Sequence, residues 1–497
     1  MPIDKPLAAI DLGSNSFRME IGRYQHGIIQ RIEYIKETVR QGNGLDENRN
    51  LTEEAMQRGW DCLSRFGERI ADFKTKQVRA VATQTLREAR NRDVFLKRAT
   101  QTLGFPIEVI SGKEEARLIY LGVSQLLPQS DEKRMVVDIG GRSTEIILGR
   151  NKESKQMESY RVGSVAWSIK YFPNGIFSAE SFKKSEVAAK AILDEAVAKY
   201  PPHKWDVVYG SSGTIGAVAD ALAMSGYSGT TITKEGVLWL INTLIRAQSV
   251  DRLRIDGLKE DRKAVIGGGL SVLSALMDLL QIDSMQVAEG SLRHGVLYDM
   301  IDRDMDDTDI RSSTVKRLAV SMNTDLDQGA RVSAIAQYFL EQIDPESDQK
   351  DRLLRKIKWA AQLHEIGTAI SHSDHHKHGA YILDNTDTTG FAQTELHRLS
   401  LLVLGHRGKL KKLEHNLDDI DLVKQLLALR LAVILCHARR DPDVGDLKIN
   451  WNKNQPNKFT LKASAKWREN FPQSAHLLYM EMDAWQRTSY KFEFKND

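Results

Sequence analysis

The residues of this chain best suited to chemistry are carboxylates set beside glycine turns. Asp11 begins Asp11-Leu12-Gly13-Ser14-Asn15-Ser16, and Asp138 begins Asp138-Ile139-Gly140-Gly141-Arg142-Ser143-Thr144-Glu145. Glycine lets a backbone come close to an anion and adopt positive φ. The turn amides, with Ser and Thr hydroxyls, can then cradle phosphate oxygens. An Asp at a strand end is placed to hold a metal ion or its water shell. Asp-x-Gly is also ordinary hairpin chemistry, so a single copy decides little. Two copies occur here at a constant offset, Asp11 opposite Asp138 and Gly13 opposite Gly140. Each runs into an apolar segment ending Gly-Arg (Gly22-Arg23, Gly149-Arg150). The echo reads as a tandem duplication of a β-hairpin.

Two further glycine turns precede helical patterns. Gly210-Ser211-Ser212-Gly213-Thr214-Ile215-Gly216 follows an apolar strand over 205–209 and leads into a helix predicted over 217–224. Ala288-Glu289-Gly290-Ser291-Leu292-Arg293 has the same form. A Gly/Ser turn that opens a helix is a ready anion site. The alternative for each is a plain strand-to-helix loop.

One carboxylate is left without a structural duty. Ser111-Gly112-Lys113-Glu114 is a capping box after a strand predicted over 107–110. The helix that follows is expected to bury Ala116, Ile119, Tyr120, Val123 and Leu127, at helical spacing. The box occupies Glu114 and leaves Glu115 in the first turn, beside the core face. There it can act as general base on a water or complement the helix dipole. Upstream, Arg87 and Arg90 share a helix face at i and i+3 after a strand over 78–82. They either grip a phosphate bidentately or stand in solvent.

These groups need a scaffold, and 497 residues are enough for about two to four domains. The chain is 41% hydrophobic and 28% charged, the balance of a folded protein rather than a disordered one. No apolar run approaches the ~18 residues of a transmembrane helix. Residues 1–6 carry no basic-then-apolar export signal. Two cysteines, Cys62 and Cys436, cannot build a disulfide framework and suit a reducing cytoplasm. The 70 Lys and Arg against 67 Asp and Glu leave a net charge of +3. Any anion must therefore be held by local clusters, not by a global field.

The histidines mark a separate region. Nine of 13 lie between His364 and His437. An acidic stretch over 302–309 reads as a linker into helical patterns over 315–322, 330–343, 353–363 and 422–437. Leu363-His364-Glu365-Ile366-Gly367 resembles the Leu-His-Asp-Ile-Gly motif of His-Asp phosphohydrolases, with Glu365 in place of Asp. His372, His375, His376 and His378 add further imidazoles that can bind metal. Packing, a dimer contact or a polyanion contact is the expected role, with a second metal centre as the alternative. His406-Arg407-Gly408-Lys409-Leu410-Lys411-Lys412 and Arg439-Arg440 are local basic clusters, for a polyanion or simply solvated. Short strands over 447–451, 459–463 and 490–494, with a turn at 454–457 and a helix around Leu477, Leu478, Met480 and Trp485, suggest a small α+β end domain.

The paired hairpins resemble the superfamily of actin, sugar kinases and heat-shock ATPases, whose duplicated halves close over a phosphoryl group. The wording of 11–16, 83–87, 111–117, 138–145 and 210–214, in that order, is narrower. It resembles the exopolyphosphatase / guanosine pentaphosphate phosphohydrolase (Ppx/GppA) family. The likeness continues through Glu289-Gly290-Ser291-Leu292-Arg293 and covers nearly the whole chain. It implies an α/β architecture of two duplicated actin-like (ASKHA, ribonuclease H-like) domains, 1–124 and 125–301. An all-α HD-like domain, 302–442, and a small α+β domain, 443–497, are expected to follow.

By motif, the resemblance implies that Glu115 is the catalytic glutamate and that Asp138 and Glu145 hold Mg²⁺ or its waters. Gly140, Gly141, Ser143 and Thr144 would form the phosphate turn, mirrored by Ser14 and Asn15. Arg87 would bind phosphate oxygens, and Gly210, Ser211, Ser212, Gly213 and Thr214 would form a third phosphate-side loop. Arg142 stands where the family usually has a small residue, and it either adds a phosphate contact or points to solvent.

The resemblance also implies a monovalent cation such as K⁺ beside Mg²⁺, and a cytoplasmic homodimer with membrane-surface association left open. No nucleic-acid partner is expected. The leading expectation is an exopolyphosphatase that hydrolyses terminal phosphates from inorganic polyphosphate, because 372–383 and 406–412 look closer to that branch. The alternative is a guanosine pentaphosphate (pppGpp) phosphohydrolase yielding ppGpp. A non-catalytic polyphosphate or nucleotide sensor is a reading of another class, against which the intact Glu115, Asp138 and Glu145 speak. A kinase of the same superfamily is a third.

Overall fold

The computed structural model describes residues 5–25, 27–303, 309–347, 349–452 and 454–496. The chain forms two compact units. One contains Met1–Asp309 and Asp387–Ala392, the other Ile310–Thr386 and Gln393–Asp497.

The first unit holds two sheets of the same plan. Its first sheet is built from β1 (Leu7–Leu12), β2 (Phe17–Gln25), β3 (Ile28–Glu37), β4 (Val78–Ala82) and β5 (Ile107–Val109), in the order β3-β2-β1-β4-β5. β1, β2 and β3 pair antiparallel, whereas β4 and β5 run parallel to β1. The second is built from β6 (Lys133–Ile139), β7 (Thr144–Arg150), β8 (Glu153–Tyr160), β9 (Val207–Ser211), β10 (Thr231–Thr233) and β11 (Ser284–Val287), in the order β10-β11-β9-β6-β7-β8. Without its extra edge strand β10, the second sheet repeats the first strand for strand. The echo in the sequence is thus a duplication of an α/β, actin-like fold. The central strand β1 is apolar but for Asp11 and buried throughout, and its counterpart β6 is buried from Arg134 to Ile139, as strands covered on both faces must be.

Two helices hold the halves together. Gly112–Leu126 packs against Leu292–Arg303, and the packing is backbone-close. A Cβ added to Gly295 would lie 1.8 Å from the Leu118 carbonyl oxygen, and one on Gly122 would lie 2.2 Å from that of Ser291. Only glycine fits at this crossing.

The second unit is helical, with Ile310–Ser321, Leu326–Ile343, Lys350–Gln362, His375–Asn385, Gln393–Gly405 and Ile420–Leu435. Asp325 and Asp419 cap two of these by accepting the amides of Gln328 and Leu422. The same unit contains a small sheet, β12 (Lys448–Asn452), β13 (Gln455–Ala463) and β14 (Lys491–Asn496), in that order, with helix Pro472–Trp485 between its last two strands.

Several expectations need correction. Asp302 and Arg303 are helical, and 304–308 lie outside the described residues, as do residues 1–4 of the N-terminal segment. The turn expected over 454–457 is shorter, because Gln455, Pro456 and Asn457 already belong to β13. Pro456 is tolerated near the start of a strand. The helix expected from 217 begins at Ser212, five residues earlier, so Gly213 and Thr214 lie in its first turn.

Gly295→Ala is expected to destabilise the first unit by on the order of 1–3 kcal/mol, the usual cost of overpacking. Denaturant melts would show an earlier transition; an unchanged midpoint would mean that the two helices have slack.

Candidate active site

A cavity of about 390 Å³ lies in the first unit where the two duplicated turns meet. Ser14, Asn15, Glu115, Asp138, Gly140, Gly141, Ser143, Ser212, Gly213 and Thr214 all line it, so ten of the proposed site residues come together. The turns touch across the halves: a Cβ on Gly141 would lie 2.8 Å from the Ser14 Cβ. The Ser14 hydroxyl accepts from Thr85 Oγ1 at 2.8 Å. Asn15 is 8% exposed, and its amide nitrogen has no partner among the described residues. A buried donor left unpaired costs free energy that a ligand oxygen can recover.

The strand register brings the charges together. Asp138 on β6 sits directly across from Glu145 on β7, so their side chains share one sheet face. The corresponding pair in the first half is Asp11 and Arg18, which form a salt bridge at 3.1 Å. One half thus pairs its aspartate with a cation and the other with a second carboxylate. Burial pushes the Asp138 carboxyl up to about 7, and the nearby Glu115 and Asp11 carboxylates add to the rise. The neighbouring Ser211 and the charge of Arg18 pull the other way. Burial also lifts Glu145 well above its ordinary value, helped by Glu115 and Asp138. Glu115 is raised by burial too, against the pull of the Arg87 guanidinium.

Five of the proposed residues do not reach the cavity. Thr144 is fully buried and its hydroxyl donates to the Val162 carbonyl at 2.6 Å. Glu145 stands beside Asp138 with Ser159 Oγ donating to it at 2.7 Å. Gly210 packs under Met285, and Ser211 Oγ donates to the Gly290 carbonyl at 2.9 Å.

Arg87 is the largest correction. Its guanidinium donates to Glu115 Oε2 at 2.7 Å, to the Ile110 carbonyl at 2.9 Å and twice to Gln84 Oε1. It holds the glutamate rather than reaching into the cavity. Nor does it share a helix face with Arg90, because the helix Gln84–Glu88 ends first. Arg142 neither lines the cavity nor points to solvent. It crosses between the halves to Glu88 Oε2, at 3.0 and 2.8 Å, and to the Gly42 carbonyl at 3.1 Å. Glu114 does not close a capping box. Ser111 Oγ accepts the Glu114 amide at 3.1 Å, but the Glu114 carboxylate binds Arg117 instead.

The cavity also contains groups that sequence reasoning passed over, namely Arg18, Tyr34, Lys36 and Arg262. Arg18 had a signal, since it occupies the position in the first hairpin that Glu145 holds in the second. Ser212 has φ of +102°, an unusual value for a residue with a side chain. Its hydroxyl accepts the amides of Thr214 and Ile215 at 3.1 and 3.3 Å, which occupies donors expected to face an anion.

Residues 21–304 match the Ppx/GppA phosphatase family, and residues 310–482 match Ppx/GppA phosphatase, domain III. The chain belongs to the Ppx/GppA phosphatase family. It is 39% identical over 485 residues to a guanosine-5'-triphosphate,3'-diphosphate pyrophosphatase of Vibrio atlanticus (strain LGP32), covering 96% of each chain. Among solved structures, an exopolyphosphatase-like protein aligns with a TM-score of 0.54 at 26% identity, covering 59% of this chain and 97% of that one. The Ppx/GppA family member of Aquifex aeolicus aligns at 0.50 and 26%, covering 60% and 98%.

As a Ppx/GppA phosphatase the chain is a hydrolase of phosphoric anhydrides, and its site offers oxygen donors of the type that suits a hard dication. Asp138 and Glu145 are buried, close and raised in pKa, a strain that a bound cation would relieve. Among the described residues, no three His, Cys, Asp or Glu side chains stand together as a complete metal site.

In the second unit, the rings of His364, His375, His376 and His406 lie 5.3–6.3 Å apart. Burial lowers the pKa of all four, which favours their neutral form. His406 is thus core rather than part of a basic surface cluster. Arg439 is neutralised by Asp325 and Glu365, each at 2.7 Å. No described helix is long and apolar enough to cross a membrane.

Folding raises the Asp138 pKa from about 4 to about 7. The folded protein therefore keeps a proton that the unfolded chain releases across this window. Stability is present below about pH 4 and is lost as pH rises through about 7. Asp138→Asn is expected to flatten this slope in chelator-treated protein, measured as melting temperature against pH. An identical slope would place the titration elsewhere.

Proposed function

We propose that the chain hydrolyses the terminal phosphoanhydride of guanosine pentaphosphate, releasing phosphate and the tetraphosphate. The observation that carries the chemistry is the meeting of Glu115 and Asp138 with the paired Ser14/Asn15 and Gly140/Gly141 turns around one cavity. In this reading the unpaired Asn15 amide, the Ser14 and Ser143 hydroxyls and the backbone of the Gly140 turn bind the terminal phosphoryl oxygens. The Glu115 carboxylate orients the attacking water and accepts its proton. Arg87 fixes that carboxylate through its 2.7 Å contact, so it acts on the base and not on the phosphate. Asp138, with Glu145 beside it, would hold Mg²⁺, which when bound offsets the charge that develops on the phosphate oxygens. The raised pKa of Glu115 suits a group that must take a proton near neutral pH.

The choice of substrate departs from the leading expectation of polyphosphate. It is supported by the pyrophosphatase name of a relative that matches this chain end to end at 39% identity. The exopolyphosphatase reading remains as the second one, supported by the 26% identical exopolyphosphatase-like structure, which covers 59% of this chain. Phosphate release from guanosine pentaphosphate and from long-chain polyphosphate, measured in parallel with and without Mg²⁺, separates them. The expected outcome is a higher kcat/KM on the nucleotide; a higher value on polyphosphate would reverse the assignment.

Glu115→Gln keeps the size and the acceptor oxygen but removes the base. Hydrolysis is expected to fall by about 10²–10⁴, while substrate binding stays within severalfold in equilibrium titration. Unchanged turnover would remove Glu115 from the mechanism.

A further inference from the structure

The glutamate next to Glu115 lies in a buried ion network outside the cavity lining. Glu114 has no solvent exposure, and its two oxygens accept from Arg117 Nε and Nη2, each at 2.8 Å. Arg117, Arg79 and Arg303 converge on Asp299 at 2.5, 2.5 and 2.6 Å. Arg79 also reaches Glu108 at 3.0 Å. Three arginines thus balance Glu108, Glu114 and Asp299. Burying so many charges is justified only if each keeps its partners.

The network has one more partner, the backbone of Asp387–Ala392. In chain order this segment falls in the middle of the second unit, yet it belongs to the first. The Gly390 amide donates to Glu114 Oε2 at 2.6 Å, and Arg303 Nη2 donates to the Gly390 carbonyl at 2.6 Å. Gly390 has φ of +88°, which residues with a side chain rarely adopt, and this turn directs both of its peptide groups into the network. Two residues earlier, the Thr388 carbonyl accepts from Ser111 Oγ at 3.4 Å. Two residues later, Ala392 bridges antiparallel to Ile110. The segment therefore grips Ile110, Ser111 and Glu114, where the helix Gly112–Leu126 begins.

Both ends of this grip lead to Glu115. Its amide donates to the Ser111 carbonyl at 2.9 Å, and it directly follows Glu114. The Ile110 carbonyl accepts from Arg87 Nη1, the same nitrogen that holds Glu115 Oε2. We propose that Asp387–Ala392 is a strap that sets the pose of the Glu115 carboxylate, with Glu114 and Gly390 as positioning residues for the hydrolysis. The proposal rests on the reading of Glu115 as the group that activates water. Such a group must be held within a fraction of an ångström to work.

The test is Gly390→Ala in the full chain, assayed on guanosine pentaphosphate, or on polyphosphate if that is what the wild type turns over. The strap predicts that kcat falls about tenfold or more while KM stays within about twofold, because pose and not binding is lost. In a Glu115→Asp background the same substitution should lower kcat far less, since both changes act on one group. Wild-type kcat in Gly390→Ala, together with an inactive Glu115→Gln, would overturn the strap alone. An active Glu115→Gln would overturn the reading beneath it. If Gly390→Ala does not fold, hydrogen exchange on the wild type decides. The Gly390 and Glu115 amides should be protected alike, and a Gly390 amide exchanging about 100-fold faster would show that the segment is not locked.

Discussion

Carboxylates buried within reach of one another carry a standing electrostatic cost, and the first unit is arranged around bearing it. Asp138 and Glu145 face each other across two strands, and Glu115 adds its charge from the neighbouring helix. Burial raises all three, and neighbouring carboxylates add to it, Asp11 at Glu115, Glu115 and Asp11 at Asp138, and Glu115 and Asp138 at Glu145, so the folded protein favours either protons or a cation at this spot. The counterweights are few and placed. Arg87 is spent on Glu115 and Ser159 on Glu145. None of them cancels the burial of Asp138 at the cavity wall, whose carboxyl stays raised.

Duplication explains how such a site can arise, and its breakdown explains why the site has a direction. The two halves share strand order and hairpin register, but position 18 is arginine where its counterpart 145 is glutamate. One half is therefore closed by its own salt bridge, and the other is left acidic. Arg142 then ties the second turn to the first through Glu88 and Gly42. A side chain that stood out as a departure from the family wording is a latch between the halves.

What was legible in the sequence was what the backbone decides locally. The Asp-x-Gly turns, the duplication and the Ser111 cap depend on neighbours a few residues away, and all are present. The misread residues are those whose partners come from elsewhere in the chain. Arg87 looked free because nothing near it in sequence reveals the Ile110 carbonyl or Glu115. Glu114 has the spacing of a capping box, but Arg117 one turn on offers a bidentate partner, and a charged pair outbids a single amide. His406 read as part of a basic cluster because exposure cannot be seen in a string of letters. The Arg18 counterpart of Glu145 was within reach, since extending the duplication offset by seven residues aligns them.

A net charge of +3 first argues against a polyanionic ligand, and the structure shows why it does not. The positive charge that matters is concentrated in the cavity, where Arg18, Lys36 and Arg262 lie close enough to disturb one another. Burial and the neighbouring cations lower both Lys36 and Arg262, against the pull of Asp261. Arg18 is held above its ordinary value, because Asp11, Tyr34 and Asp138 together outweigh its burial. The cavity thus sets cations beside carboxylates, with Arg18 paired to Asp11 and Lys36 to Asp261, while Asp138 stays raised despite the field of Arg18. That local arrangement of charge is one on which overall composition has no bearing.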